Sequence, residues 1–278
     1  MNDYSQFELD DWVKSTLADP VTKLSVSIDS FTKHYNIIDA RVHLKNTLGH
    51  SKWNSGQDAY ENWETSSSGY NNKVKNYRKE IQYDMPTYEY FELSGDIIDI
   101  GGGVGTVREL INTSYRFVSI DPYINAPLEV PSAKMEAYKC LSKHLNFVSA
   151  MAEFIPFKSK TFDWAHMRSM LDHVLVPDLA LIEAHRILKD NGKLLVGMYV
   201  EGGKDGIIPV KEKCLDYVNN HIYPKFGINK YIDHHTWHPT YKNLVKLILD
   251  NGFEIEDIYW QPIWKDKVCY IKAKKATK

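Results

Sequence analysis

The run Ile97-Ile98-Asp99-Ile100-Gly101-Gly102-Gly103-Val104-Gly105-Thr106 constrains the fold of this chain more than any other segment. An apolar, β-branched stretch enters a glycine cluster, and the chain then turns into a short helical pattern carrying Val107, Leu110 and Ile111. Glycine at a strand-to-helix turn lets the backbone bend tightly and approach a ligand with no Cβ in the way. The register of the glycines discriminates between two kinds of loop. A dinucleotide-type G-x-G-x-x-G starting at Gly101 or Gly103 requires glycine at 106 or 108, and those positions are Thr106 and Arg108. The pattern present is D-x-G-x-G-x-G, with Asp99 in the strand ahead of the loop.

From about residue 97 the chain alternates short β-branched runs with helical patterns, which predicts βα units around a parallel sheet. The expected strands are Ile97–Ile100, Arg116–Ile120, Asn146–Ser149, Asp163–Met167 and Lys193–Val200. A helix is expected from Pro177, with Leu181, Ala184 and Leu188 on one face and Asn191-Gly192 as its stop. Another is expected from about Pro239 to Asp250, stopped by Asn251-Gly252. The runs Phe253–Trp260 and Lys267–Ala273 predict a closing antiparallel pair. Residues 1–94 lack this alternation and read as an N-terminal extension, a small β module over about 12–50 followed by helical or loop segments; residues 95–278 read as the main domain.

Composition narrows the functional classes. Hydrophobic residues at 43% and charged residues at 25% are ordinary for a globular chain, which excludes collagen, coiled coil and wholesale disorder. A net charge of −2 argues against a nucleic-acid backbone as the main partner, since phosphate neutralisation needs clustered Lys and Arg. Three distant cysteines, Cys140, Cys214 and Cys269, build neither a disulfide framework nor a cysteine zinc site, and predict a reducing cytoplasm. The opening Met1-Asn2-Asp3-Tyr4-Ser5 predicts no signal peptide, and no apolar run reaches the ~18 residues of a membrane span. Oligomeric state is not legible. Aromatic residues at 13%, including 18 Tyr and 7 Trp, leave room for a recognition surface.

A second acid, Asp121, ends the strand after the loop, 22 residues beyond Asp99. From that position a carboxylate accepts both ribose hydroxyls of a bound nucleoside. With this pair the sequence resembles the class I S-adenosylmethionine (SAM)-dependent methyltransferases, in the branch called the type 11 methyltransferase domain. The resemblance continues through Ala150-Met151-Ala152-Glu153-Phe154-Ile155-Pro156-Phe157, Thr161-Phe162-Asp163, Leu171-Asp172-His173-Val174 and Glu183–Leu194, in order over about residues 95–275. It implies an α/β fold with a Rossmann-like seven-stranded sheet and helices on both faces. It further implies that Asp99, Gly101, Gly103 and Gly105 hold the methionine part of SAM, that Asp121 binds the ribose, and that Met151-Ala152-Glu153 flank the adenine. Arg168 and Ser169 would line the methyl-donor end. Met151 stands where many relatives have Asp, so adenine recognition would rest on backbone, on Glu153 or on apolar packing; Glu153 alone also reads as a solvated charge.

Methyl transfer rewards alignment and water exclusion, and a hydroxyl acceptor is further helped by a general base, for which histidine suits neutral pH. His173 and the adjacent Asp172 follow the fourth of these strands, where the ligand crevice of such a sheet opens. A second candidate is Asp233-His234-His235-Thr236-Trp237-His238, with His235 as a catalytic histidine. No metal site is adopted, because adjacent His234 and His235 do not share a face. The segment 201–238 exceeds a plain βα connection and is expected to shape the acceptor site with Tyr217, His221, Tyr223, Phe226, Tyr231 and Trp237. In the extension, Leu17–Leu24 and Tyr35–Ala40 resemble the small Trm112-like zinc modules, with Asp19 and Thr22 at the two cysteine positions. That implies a scaffold unable to hold zinc. The stretch Trp53 to Trp63, with Tyr60, reads either as a lid over the cofactor or as a packed linker. The expected activity is methyl transfer from SAM to a small-molecule or saccharide hydroxyl. The alternatives are an RNA methyltransferase and a catalytically silent SAM-binding partner subunit.

Overall fold

The computed structural model describes residues 5–42, 70–125, 127–226 and 235–276. Among the described residues nine strands form one sheet: β1 (Thr32–His34), β2 (Ile37–Asp39), β3 (Gly95–Ile100), β4 (Tyr115–Asp121), β5 (Asn146–Ser149), β6 (Phe162–Arg168), β7 (Leu188–Tyr199), β8 (Phe253–Trp260) and β9 (Val268–Lys275). Their spatial order is β1-β2-β5-β4-β3-β6-β7-β9-β8. The five strands from β5 to β7 are mutually parallel, and β9 enters antiparallel between β7 and β8. The helices are α1 (Asp11–Thr16), α2 (Tyr70–Phe91), α3 (Ser132–Ala137), α4 (Pro177–Ile187), α5 (Val210–Tyr217) and α6 (Tyr241–Asp250).

The nine-stranded sheet corrects the expected count of seven. The two additional strands come from the N-terminal region: Ile38 and Asp39 pair in parallel with Val148 and Ser149, so β2 continues the sheet beyond β5. Ile37 and Ile38 are fully buried, and their apolar side chains hold the strand there. Tyr35 and Asn36, both at positive φ, make the two-residue turn that returns β1 along β2. Leu9, Val13 and Leu17 from the same region pack into one cluster with Ile98, Ile120 and Val148. The Trp53 to Trp63 stretch lies outside the described residues.

The helix at Pro177 ends at Ile187, and Asn191-Gly192 falls inside β7 instead of stopping it. Leu188 already pairs with Phe162, with a bulge before Trp164 restoring the register, so the chain leaves helix for sheet three residues early. The α6 stop behaves as expected: Leu244 and Ile248 are fully buried, and Asn251 Nδ2 donates to the Leu247 carbonyl at 2.8 Å. No helix among the described residues is long and apolar enough to cross a membrane.

Candidate functional site

The order of strands reverses at β3, which lies between β4 and β6, and the carboxyl ends of β3, β4, β5 and β6 open side by side there. Asp99 and the glycines sit at the end of β3, Asp121 at the end of β4, Met151–Glu153 just past β5, and Arg168 and Ser169 at the end of β6. The topology therefore brings every expected cofactor residue to one edge of the sheet.

Gly101, Gly103 and Gly105 all take positive φ, at 69°, 49° and 68°, a path that side-chain-bearing residues avoid. The loop is tied back to the next strand. The Gly101 amide donates to the Ile120 carbonyl at 2.9 Å, and the Ser119 hydroxyl donates to the Gly103 carbonyl at 2.9 Å. Asp121, buried at the strand end, accepts from the Gly103 amide on Oδ2 and from the Tyr123 amide on Oδ1, both at 3.0 Å. Burial pushes its carboxyl up to about 6, against those two amide hydrogen bonds and with a smaller push from the nearby Asp99 charge. A Cβ built on Gly103 would meet nothing nearer than Asp121 Oδ2 at 3.9 Å. An open glycine cradle beside a carboxylate with unused lone pairs fits the amino-acid and ribose parts of an adenosyl ligand.

Asp99 faces into the sheet, where Oδ1 accepts from His166 Nδ1 at 2.7 Å. With Nδ1 donating, Nε2 of His166 accepts the Tyr88 hydroxyl of α2 at 2.9 Å. All three groups are buried, and burial pushes the Tyr88 phenol well above its ordinary range. This relay links the glycine loop, β6 and the long N-terminal helix. Its histidine left one trace in the sequence, an ionisable residue inside the apolar run Trp164-Ala165-His166-Met167; Tyr88 left none. Gly102, the glycine outside the D-x-G-x-G-x-G pattern, also has a reason to be there. A Cβ on it would lie 2.3 Å from the Asp99 carboxyl and 2.6 Å from Ser119 Oγ. The Gly102→Ala protein is therefore expected to lose about 1–3 kcal/mol through overpacking, read as a melting point about 3–10 °C lower.

Three expected residues have structural partners already. Glu153 is buried and accepts from the Leu175 and Val176 amides at 2.8 and 3.2 Å, just ahead of α4; this corrects the solvated-charge reading. Burial raises its carboxyl, with those amides opposing. Ala152 belongs to the main core. Arg168 pairs with Asp84 of α2 at 2.5 Å, and Gln261 Nε2 donates to Asp84 Oδ1 and Thr87 Oγ1, both at 3.0 Å. Thus α2 is fastened to the end of β6 by a polar set, of which Asp84, Thr87 and Gln261 are buried, that had no sequence signal.

On the acceptor side, two separate segments converge. Thr236 donates its amide to the Asp172 carbonyl at 2.7 Å and its hydroxyl to the Asp172 and Val174 carbonyls at 2.9 and 2.8 Å. That stitch sets His235 Nε2 3.6 Å from Asp172 Oδ2, while His173 Nε2 lies 3.9 Å from Asp172 Oδ1. The His173 and His235 rings stand 4.6 Å apart between centroids. His238 lies 5.6 Å from His235 by the same measure. Trp237 packs against the core, whereas Tyr217 and Phe226 are exposed. Tyr231, Asp233 and His234 lie outside the described residues. At the N-terminal module, Asp19 Oδ1 accepts from the Thr22 hydroxyl at 3.0 Å, a local turn at the positions where a zinc module carries cysteines.

A family model described as a methyltransferase domain matches residues 73–257. With that match over most of its length, the chain belongs to this family, which with the α/β fold places it among the class I SAM-dependent methyltransferases, whose cofactor is SAM. Among curated proteins it is similar to the ubiquinone/menaquinone biosynthesis C-methyltransferase of Agrobacterium fabrum, at 34% identity over 47% of this chain and 50% of that protein. The corresponding Escherichia coli protein is 29% identical over 59% of this chain and 68% of its own length. The chain spans about half the length of the first of these relatives. Among solved structures, a SAM-dependent methyltransferase from Leishmania major aligns over 83% of this chain and 87% of its own at TM-score 0.54 and 12% identity. A methyltransferase from Bacillus halodurans aligns over 70% and 99% at TM-score 0.51 and 17% identity. At such identities these two share the fold.

Proposed function

We propose that this protein methylates a small-molecule acceptor carrying an acidic hydroxyl, such as a phenol or enol, and that Asp172, His173 and His235 manage the acceptor's proton. The observation that carries this reading is the meeting of two histidines and a carboxylate beside the end of β6, the strand next to the glycine loop. When bound, SAM supplies a sulfonium methyl group open to in-line attack.

Asp121 and the loop glycines hold the adenosyl and amino-acid parts. Asp99, fixed by His166 and Tyr88, keeps the loop in its bent path. The Asp84–Arg168 pair ties α2 to the end of β6. At the acceptor, Asp172 orients an imidazole, and the imidazole takes the hydroxyl proton. Deprotonating a phenol or enol raises electron density on oxygen and, by delocalisation, on the neighbouring carbon. The same proton acceptor therefore serves O-methylation and C-methylation. The hydroxyl oxygen is the favoured acceptor atom. The likeness to quinone-pathway C-methyltransferases supports the adjacent ring carbon as a second reading.

The test is methyl-labelled SAM offered with dihydroxyphenols, quinols, sugar nucleotides, glycans and RNA. Label is expected in a phenol or quinol, with product NMR separating O–CH3 from C–CH3. Label entering RNA or glycans alone overturns the proposal. Tight SAM binding with no labelled product from any class supports the silent-subunit alternative.

A further inference from the structure

We propose that Asp172, His173 and His235 form a binding site for a single divalent transition-metal ion of the zinc, iron, manganese or cobalt type. The inference deepens the proposed function, on which it relies for the ion's role but not for the site itself.

One donor atom from each of the three residues can be chosen so that all lie within 4.8 Å of one another. Around a metal with ligand bonds of about 2.1 Å, neighbouring donors stand about 3.0–3.4 Å apart. The carboxylate-to-imidazole separations, 3.6 Å from His235 Nε2 to Oδ2 and 3.9 Å from His173 Nε2 to Oδ1, run to the two oxygens of one carboxylate and are slightly open for an ion that both oxygens face; small rotations of the side chains would close them. The donors also come from two loops, and the Thr236 hydrogen bonds to the carbonyls of Asp172 and Val174 hold those loops in register. Such a convergence is built into the backbone.

The second observation is independent of spacing. Asp172 Oδ1 is buried and makes no hydrogen bond among the described residues, His173 Nε2 at 3.9 Å being beyond hydrogen-bond reach. A buried carboxylate oxygen without a donor costs on the order of 1–3 kcal/mol, more when charged, unless something absent from the bare protein supplies a positive partner. A cation bridging Asp172 to the two imidazoles supplies it. Two nitrogens and one oxygen suit a transition metal and not calcium or magnesium, which prefer all-oxygen shells. Behind the cluster, His238 Nδ1 stands 3.8 Å from Glu201 Oε1, and its ring neighbours that of His235, an arrangement suited to orienting a ligand histidine. The side chains of His173 and His235 keep 35% and 43% of their surface exposed, so the ion would be open on one side.

Three protein ligands leave coordination positions for the acceptor. The acceptor class this implies is one with two adjacent oxygens, a catechol, enediol or α-hydroxy ketone, chelating the ion. With the ion bound both imidazoles are ligands, so the ion takes over their part in handling the proton: coordination lowers the pKa of the bound hydroxyl, whose proton leaves to solvent.

Cobalt(II) is the probe. After chelator treatment, the wild-type chain is expected to bind about one Co2+ at micromolar or tighter affinity, with visible d–d absorbance from nitrogen ligation. His173→Ala and His235→Ala should each abolish the absorbance, and Asp172→Asn should weaken it at least tenfold. SAM binding, followed by calorimetry, should persist in all three and so report intact folding. The eleven histidines of the chain make adventitious binding the natural competitor. Co2+ uptake that survives these substitutions, or no uptake at all, overturns the metal site. No uptake in a protein whose methyl transfer is indifferent to chelator removes the metal and leaves the proposed function standing. Cobalt held by the three side chains in a protein that methylates no phenol or enol establishes the site and removes the function.

Discussion

The Asp121→Ala protein is expected to bind SAM more than about tenfold more weakly than the parent, because hydrogen bonds to a charged acceptor contribute about 1.5–3 kcal/mol each and about 1.4 kcal/mol is a factor of ten. In the free protein the carboxylate already accepts from Gly103 and Tyr123, so alanine also releases the loop amide that fixes the cradle. Both losses act in the same direction. The same residue gives binding a pH signature. Burial holds its carboxyl at about 6 instead of the usual 3.8, so between those values the folded chain carries more protons than the unfolded one. The ligand-free protein is then expected to lose stability as pH rises through about 4 to 6, the reverse of an ion-paired aspartate. SAM affinity should move the other way, falling as pH drops below about 6, by up to about tenfold per unit, because a protonated carboxyl cannot accept from both ribose hydroxyls. Asp121→Asn should flatten both profiles. Calorimetric titrations from pH 5 to 8 with parallel thermal melts read both effects; an unchanged dissociation constant in the alanine variant would remove Asp121 from the cofactor site.

Much of this cofactor edge was legible in the sequence, for a physical reason. A strand ending in glycines and a second strand ending in an acid are local features, and a parallel sheet brings neighbouring carboxyl ends together automatically. Contacts made across the fold left weaker marks. Asp99 and His166 are separated by 67 residues and meet only because β3 and β6 are adjacent; Tyr88 reaches them from a helix in the region read as extension. The strands that raised the count to nine are three residues each, too short to show a period, and the burial of Ile37 and Ile38 is what recruits them. Asn191-Gly192 carried a real turn signal, yet pairing of Leu188 with Phe162 prevailed over it. For the acceptor, the sequence grouped His235 with its chain neighbours Asp233 and His234. The Thr236 stitch instead delivers it to Asp172, more than sixty residues away in the chain.

That stitch makes His173 and His235 interdependent, which shapes the largest expected effect on turnover. His173→Ala should lower the turnover number by about 10²–10⁴-fold, the range a positioned acid–base group supplies, while the SAM dissociation constant stays within about twofold of the parent. The separation of the two readouts follows from position: His173 lies past the end of β6, four residues beyond Ser169, whereas the glycine loop follows β3 and Asp121 ends β4. His235→Ala should cause a loss of similar size, and the double variant should lose little more than either alone, because groups acting as one unit are strongly non-additive. Two independent contributors would multiply their losses instead. A further distinction comes from Asp172→Asn, which keeps the side-chain shape and leaves the carbonyl that Thr236 holds, but removes the charge that orients or binds beside both rings. Turnover should fall by at least tenfold with the fold intact. Steady-state kinetics on the acceptor identified by the labelling screen, paired with SAM calorimetry on the same preparations, decides the matter: turnover unaltered in His173→Ala would leave that histidine outside the chemistry. A multiplicative loss in the double variant would show two separate sites of action where the geometry indicates one.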